Sequence, residues 1–163
     1  MVPGLALQYR LHLSYRGLGL GVPALMDIAP LIARVVVGGL FFLSGFYKLF
    51  TPAQAEKMQE TMVEAGIAAP RQTAKFVSVC EFAFGALLIM GLFTSLAALV
   101  LLIISLVALV TVASKSVEGT SLGYRLSSYF DLPETLLMVI LIWLIANGPG
   151  LWSLDFVLFL PRL

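Results

Sequence analysis

Long apolar stretches separated by shorter polar ones set the pattern of this chain. The first runs from Ile28 to Phe50, with Pro30 in its first turn, and ends at a Thr-Pro pair. A helix needs about 20 apolar residues to cross roughly 30 Å of hydrocarbon, so this stretch predicts a membrane span over 28–50. The polar stretch 53–72 carries charges at helical spacing, which predicts a surface helix that ends at Gly66.

The next apolar stretch, residues 76–112, contains a single charged residue, Glu81. As one helix it would be about 55 Å long, which is too long for a single crossing. It must therefore fold back on itself, and the Gly-Leu-Phe-Thr-Ser sequence at 91–95 is the turn signal within it. This predicts a second span over 74–92 and a third over 94–113.

A fourth span follows a second polar stretch, 114–131. It covers 132–147 and ends at an Asn-Gly-Pro-Gly sequence. The final segment, 151–163, is too short to cross, and its Trp152 and Asp155 predict a position at the membrane surface. The whole pattern predicts an all-α integral membrane four-helix bundle.

The four spans form one predicted membrane domain, residues 28–163, preceded by an N-terminal tail, 1–27. The tail has Arg residues in its middle and no long apolar core, so it does not resemble a signal peptide. Met26 is an alternative start, and a chain that begins there would lack this tail.

The composition excludes a water-soluble protein. Of the 163 residues, 60% are hydrophobic and 12% are charged, against about 25% charged in a typical soluble domain, and the mean hydropathy is +1.01. A soluble enzyme, a disordered chain and a nucleic-acid binder are excluded, the last because the net charge is only +1. One cysteine, Cys80, and one histidine, His12, leave too few ligands for a metal or haem centre, so we expect no metal site. The partner that the composition predicts is the lipid bilayer.

The positively charged residues indicate an orientation. Four spans place both termini on one side and the loops 51–73 and 114–131 on the other. Lys and Arg are more numerous at the loop end, where they are Lys48, Lys57, Arg71, Lys75, Lys115 and Arg125, than at the end with Arg10, Arg16, Arg34 and Arg162. The positive-inside rule therefore favours cytoplasmic loops.

Charged residues inside the spans each cost about 2.5–3.5 kcal/mol on insertion, so each one needs a reason. Counting residues from the loop side places four of them at one end of the bundle, where they form a candidate polar pocket: Lys48, Glu81, Asp131 and Glu134. The alternatives are that Lys48 reaches to the interface, that Glu81 forms a structural ion pair, and that the two acids of span four cap its N-terminus.

Arg34 lies near the opposite end of the first span. Gly38 and Gly45 share its helix face, and Gly85 lies one turn beyond Glu81 on the second span. Small residues let two helices approach closely, so we interpret these three glycines as helix-packing positions and Arg34 as a packing or anchoring residue.

Several sequence motifs, taken in order, resemble the DoxX family of small four-helix membrane proteins. Residues 38–52 read Gly-Gly-Leu-Phe-Phe-Leu-Ser-Gly-Phe-Tyr-Lys-Leu-Phe-Thr-Pro, and 80–88 read Cys-Glu-Phe-Ala-Phe-Gly-Ala-Leu-Leu. They are followed by Gly-Leu-Phe-Thr-Ser-Leu-Ala-Ala at 91–98 and Asn-Gly-Pro-Gly-Leu-Trp-Ser-Leu-Asp at 147–155. The stretch 114–131 departs from the family, in which this region is often rich in His, Trp and Asn.

The resemblance implies a role in a bacterial inner-membrane redox system, linked to quinones or thiols. By motif position, Arg34, Lys48 and Glu81 match the recurrent polar residues of the family. One hypothesis is an oxidoreductase-associated subunit that binds a quinone non-covalently and docks a redox partner on loops 51–73 and 114–131. The alternatives are a non-catalytic scaffold or assembly factor and, third, a small-solute or proton-coupled carrier. Each is compatible with a homo-oligomer.

Overall fold

The computed structural model describes residues 22–111 and 132–159, with side chains over 28–111 and 132–158. Six helices lie in these ranges, in the chain order α1 Val22–Phe50, α2 Pro52–Glu64, α3 Pro70–Met90, α4 Thr94–Thr111, α5 Pro133–Asn147 and α6 Leu154–Phe159. Residues 1–21, 112–131 and 160–163, and with them the whole loop 114–131 and Asp131, fall outside the described residues.

The predicted all-α membrane bundle is confirmed. Within the described ranges, three helical segments are long and apolar enough to cross a membrane, namely Ile28–Phe50, Pro70–Met90 and Thr94–Thr111. The fourth apolar helix, α5, has 15 residues and is therefore about 22 Å long, shorter than the roughly 30 Å of a hydrocarbon core.

The ends of two helices differ from the sequence-based expectation. Helix α1 begins at Val22, so Pro30 lies inside the helix rather than in its first turn, and the Pro30 side chain is buried. Helix α3 begins at Pro70, four residues before the predicted start, with the proline in the first turn where its missing N–H costs no hydrogen bond. The polar residues of this first turn are the reason that hydropathy alone places the start too late.

Helices α1 and α3 pack against each other through glycines. A Cβ atom on Gly38 would lie 2.9 Å from the Gly85 carbonyl oxygen, and one on Gly85 would lie 3.0 Å from the Phe42 Cα atom. A Cβ atom on Gly45 would collide with the backbone nitrogen of Phe82. The two backbones therefore touch along more than two helical turns, as small residues at a membrane helix interface allow.

The core of the bundle lies where α1, α3, α4 and α5 meet, and its fully or nearly fully buried side chains are Val37, Phe41, Leu88, Ala97, Ala98, Leu101, Leu141 and Leu144. The outer faces of the same helices expose large apolar side chains, which include Ile32, Leu40, Leu96, Ile103, Leu136 and Val139. An apolar outside around an apolar core is the distribution expected of a bundle surrounded by lipid.

The segment after α5 is partly buried against the rest of the protein. Trp152 is 70% exposed, but Asp155 is only 6% exposed. The Asp155 carboxylate accepts the backbone N–H groups of Phe93 and Thr94 at 2.7 and 2.8 Å. It thereby caps the N-terminus of α4, whose first N–H groups have no partners within the helix. Hydropathy carries no signal for a cap supplied from a distant segment, so this contact was not predicted.

Candidate functional site

The polar centre of the structure is an ion pair between α1 and α3. The Lys48 ammonium lies 2.9 Å from Oε1 and 2.7 Å from Oε2 of Glu81. The Ser44 hydroxyl donates a third hydrogen bond to Oε2, at 3.2 Å. The side chains of Lys48 and Glu81 are 23% and 7% exposed, so the pair is largely withdrawn from the surroundings.

Local sequence explains how the pair forms. Lys48 lies in the last turn of α1, where a cation is favoured by the helix dipole, and its long side chain reaches toward α3. Ser44 lies one turn earlier on the same face. Because Gly45 lets the two helices touch beside this point, the short distance between backbones brings the ammonium to Glu81. The neighbouring Ser78 hydroxyl instead donates to the carbonyl of Ala74.

A cavity of about 630 Å³ adjoins this pair. Most of its wall is apolar and comes from α1, α4 and α5, with contributions from Val37, Leu40, Phe41, Ile104, Leu137 and Ile140. Its polar groups are Ser44, Lys48, Glu81, Ser105 and Glu134. The shape is thus an apolar chamber with a charged group at one end, which suits an amphiphilic ligand with a hydrogen-bonding head.

Glu134 faces this cavity from the first turn of α5. Its Oε2 atom is buried and has no hydrogen-bond partner among the described residues. Leu132 occupies the cap position of α5, and its side chain makes no capping hydrogen bond. The structure therefore brings Lys48, Glu81 and Glu134 to one cavity, whereas Asp131, the fourth predicted member, lies outside the described residues.

Arg34 does not belong to this cavity. It is fully buried near the turn between α3 and α4, and its Nη2 donates to the Trp152 carbonyl oxygen at 2.6 Å. Its charge is attracted by Asp155. Gly91 in this turn has a φ of +68° and no room for a side chain, because a Cβ atom would collide with the Arg34 guanidinium. Arg34 thus holds the segment after α5 against the turn.

Sequence reasoning missed two polar members of the cavity, Ser44 and Ser105. Ser44 precedes Lys48 by four residues, so helical spacing alone was a signal for it. Ser105 had no such signal, because its place on the cavity wall depends on how α4 rotates against α1. Its hydroxyl donates to the Leu101 carbonyl at 2.9 Å, as a serine inside an apolar helix does.

The cavity offers proton-transfer and hydrogen-bonding groups. Within the described ranges, no three His, Cys, Asp or Glu side chains converge as the ligands of a metal ion would. The cavity instead combines one ammonium and two carboxyl groups with an apolar wall. Such a set can hold a polar head, donate a hydrogen bond to it and take up or release a proton.

Comparison with known proteins identifies the family. The DoxX family model matches residues 29–114, which is just over half of the chain. The chain belongs to the DoxX family. The match begins in α1 and extends through α4, so it contains both members of the Lys48–Glu81 pair and the glycine contact between their helices.

A relative of this DoxX protein is an uncharacterized membrane protein of Mycobacterium tuberculosis. The two are 32% identical over 129 residues, which cover 75% of this chain and 76% of the relative. No solved structure matches the chain. The comparisons thus give the family and a membrane location.

Proposed function

We propose that this DoxX protein is a membrane subunit or accessory protein of a redox system and that its cavity binds a quinone. The observation that carries the proposal is the Lys48–Glu81 pair at the wall of an otherwise apolar chamber. We place the protein in the bacterial inner membrane, with the loops 51–73 and 114–131 on the cytoplasmic side.

The dimensions and chemistry of the cavity fit a quinone. Its volume of about 630 Å³ lies within the range of about 300–1,000 Å³ that is usual for small-molecule sites. A quinone has an apolar ring and tail and two carbonyl oxygens that accept hydrogen bonds. The apolar wall suits the ring and tail, and the charged wall suits a carbonyl oxygen.

The polar side chains have distinct roles in this proposal. An ammonium group has three N–H donors, so the two bonds from Lys48 to Glu81 leave one donor for a ligand oxygen. Glu134 contributes a carboxylate oxygen that has no partner among the described residues. This oxygen can accept a hydrogen bond from an O–H group of the ligand, or it can take up a proton. Glu81 holds Lys48 in place and is the second proton-carrying group of the wall.

A partner protein must supply the electrons. Reduction of a quinone to a quinol takes two electrons and two protons, and here a flavin or iron–sulfur centre of the partner supplies the electrons. The two protons come from water on the loop side, and Glu81 and Glu134 relay them, each taking up a proton before it passes one to a quinone oxygen. We place the docking surface for this partner on the loops 51–73 and 114–131, and a thiol-linked partner would use the same surface.

The proposal is tested by quinone binding to the purified full-length protein in nonionic detergent. A short-chain ubiquinone is titrated by calorimetry against the wild type and against the double variant Lys48→Met/Glu81→Gln, which leaves neither charge unpaired. A lost hydrogen bond from a charged donor is worth about 1.5–3 kcal/mol, so the affinity should fall about 10- to 100-fold.

Lys57→Met is the matched control, because Lys57 is exposed on α2 and does not line this cavity. It should bind the ubiquinone as the wild type does. The proposal is wrong if the double variant also keeps the wild-type affinity. Mass spectrometry of the gently purified protein provides an independent check, because co-purified quinone or a redox subunit would support the same conclusion.

A scaffold function is the second candidate, and one observation favours it. The Lys48–Glu81 bond joins the same two helices that Gly45 holds in contact, so the pair can fix their register without any chemistry. In that case Lys48→Glu and Glu81→Lys should each lower protein stability, and the charge-swapped double variant should recover it together with partner binding. Recovery of stability without recovery of quinone binding would separate the two functions.

A further inference from the structure

A second cavity, of about 390 Å³, lies on the loop side between α2 and the ends of α1 and α3. Arg71 and Lys75 line it from successive turns of α3, and Glu56 and Gln59 line it from α2. The side chains of Arg71 and Lys75 form no ion pair or hydrogen bond within the part of the chain that the structure describes. Two unpaired cations thus face one groove.

The charge balance of this groove is positive. Lys48 also lines it, but the ammonium of Lys48 is already paired with Glu81. Glu56 is the acid among the described lining residues, so it offsets one of the two cations, Arg71 and Lys75. An anion is therefore the complementary ligand.

The position of the groove indicates the kind of anion. The apolar helix α1 ends at Phe50, immediately before α2, so the groove lies at the level where the spans leave the hydrocarbon. Directly after Lys75, the side chains of Phe76 and Val79 are 69% and 44% exposed along α3 toward the membrane centre. A charged groove thus lies directly above an exposed apolar surface.

We propose that this groove binds the phosphate headgroup of an anionic phospholipid. The Arg71 guanidinium and the Lys75 ammonium donate hydrogen bonds to the phosphate oxygens, as basic groups between membrane helices do for lipid headgroups. The acyl chains lie along Phe76 and Val79. This inference does not depend on quinone binding, because it rests on a different cavity.

The test is native mass spectrometry of the full-length protein in nonionic detergent, titrated with phosphatidylglycerol, phosphatidylcholine or inorganic phosphate. The wild type should retain phosphatidylglycerol in preference to phosphatidylcholine. A basic residue near a membrane surface contributes about 1 kcal/mol, or roughly fivefold, so Arg71→Gln/Lys75→Gln should weaken phosphatidylglycerol binding about 25-fold. Lys57→Gln removes one charge from the exposed face of α2 and should change the affinity less than twofold.

Three results would overturn the proposal. The first is that the wild type retains the two lipids equally. The second is that the double variant binds phosphatidylglycerol as tightly as the wild type does. The third is that millimolar inorganic phosphate displaces the lipid, which would indicate a site for free phosphate. The preference of the wild type for phosphatidylglycerol over phosphatidylcholine is measured without any variant. It therefore still tests the proposal if the double variant fails to fold. A photoreactive phosphatidylglycerol should label peptides within 52–59 and 71–78, and labelling confined to other segments would contradict the assignment.

Discussion

The glycine contact between α1 and α3 predicts that one added methyl group lowers the stability of the protein strongly. In Gly45→Ala, the new Cβ atom would lie 2.7 Å from the Ser78 carbonyl oxygen and 2.9 Å from the Phe82 Cα atom. The van der Waals contact distance between non-bonded heavy atoms is about 3.5 Å or more, so the two helices would have to separate by roughly 1 Å. These two atoms and the Phe82 backbone nitrogen, which is nearer still, all belong to the backbone and cannot rotate away. Overpacking of this kind costs about 1–3 kcal/mol.

Gly39→Ala is the matched control on the same helix. A Cβ atom there meets nothing within 4 Å, and the gain in helix propensity, about 1 kcal/mol, is the same at both positions. The difference in unfolding free energy between the two variants therefore isolates the steric effect, and we expect it to be about 1–3 kcal/mol. Unfolding in mixed micelles, followed by circular dichroism, measures it. Equal stability of the two alanine variants would refute the close contact between α1 and α3.

Three further perturbations test other parts of the structure, two by the same unfolding assay and the third by limited proteolysis. Leu101→Ala empties a fully buried position and should cost about 2–5 kcal/mol, whereas Leu99→Ala, on the exposed face, should cost well under half as much. Asp155→Asn replaces one of the two acceptor oxygens at the N-terminus of α4 with an amide nitrogen that cannot accept, and should lower stability by about 1–3 kcal/mol. Met62→Ala should loosen α2 and speed proteolysis within it, because Met62 is 7% exposed, while Val63→Ala, 58% exposed, should not.

The sequence is sufficient for the fold because the membrane imposes strict lengths on helices. Hydropathy and the 91–95 turn signal were enough to place the apolar helices and to predict an all-α bundle. The errors lie at helix ends, where polar first turns such as the one after Pro70 carry no hydropathy signal. Residue counting also placed Lys48 and Glu81 at the same end of the bundle, and in the structure their charged atoms are in contact.

The remainder of the site could not be predicted because it depends on helix rotation and on distant contacts. Whether Ser105 faces the cavity is decided by how α4 turns against α1, and the apolar sequence of α4 has no polar face to indicate this. The burial of Asp155 depends on a contact with residues more than sixty positions earlier in the chain. Periodicity describes one helix at a time and contains no information on such contacts.

The contacts of Arg34 and Asp155 also determine when the protein can finish folding during its synthesis. The carbonyl group that accepts a hydrogen bond from Arg34 belongs to Trp152, 118 residues later in the chain. The carboxylate that accepts from the Thr94 N–H belongs to Asp155, 61 residues later. Until residues 152–155 have been made, the α3–α4 hairpin therefore lacks the cap on the N–H groups of its turn, and Arg34, which packs beside that turn, lacks its hydrogen-bond acceptor. Its last step, closure of the turn, waits until residues 152–155 have been made. A nascent chain that stalls before these residues would present an incompletely folded turn to membrane quality-control proteases.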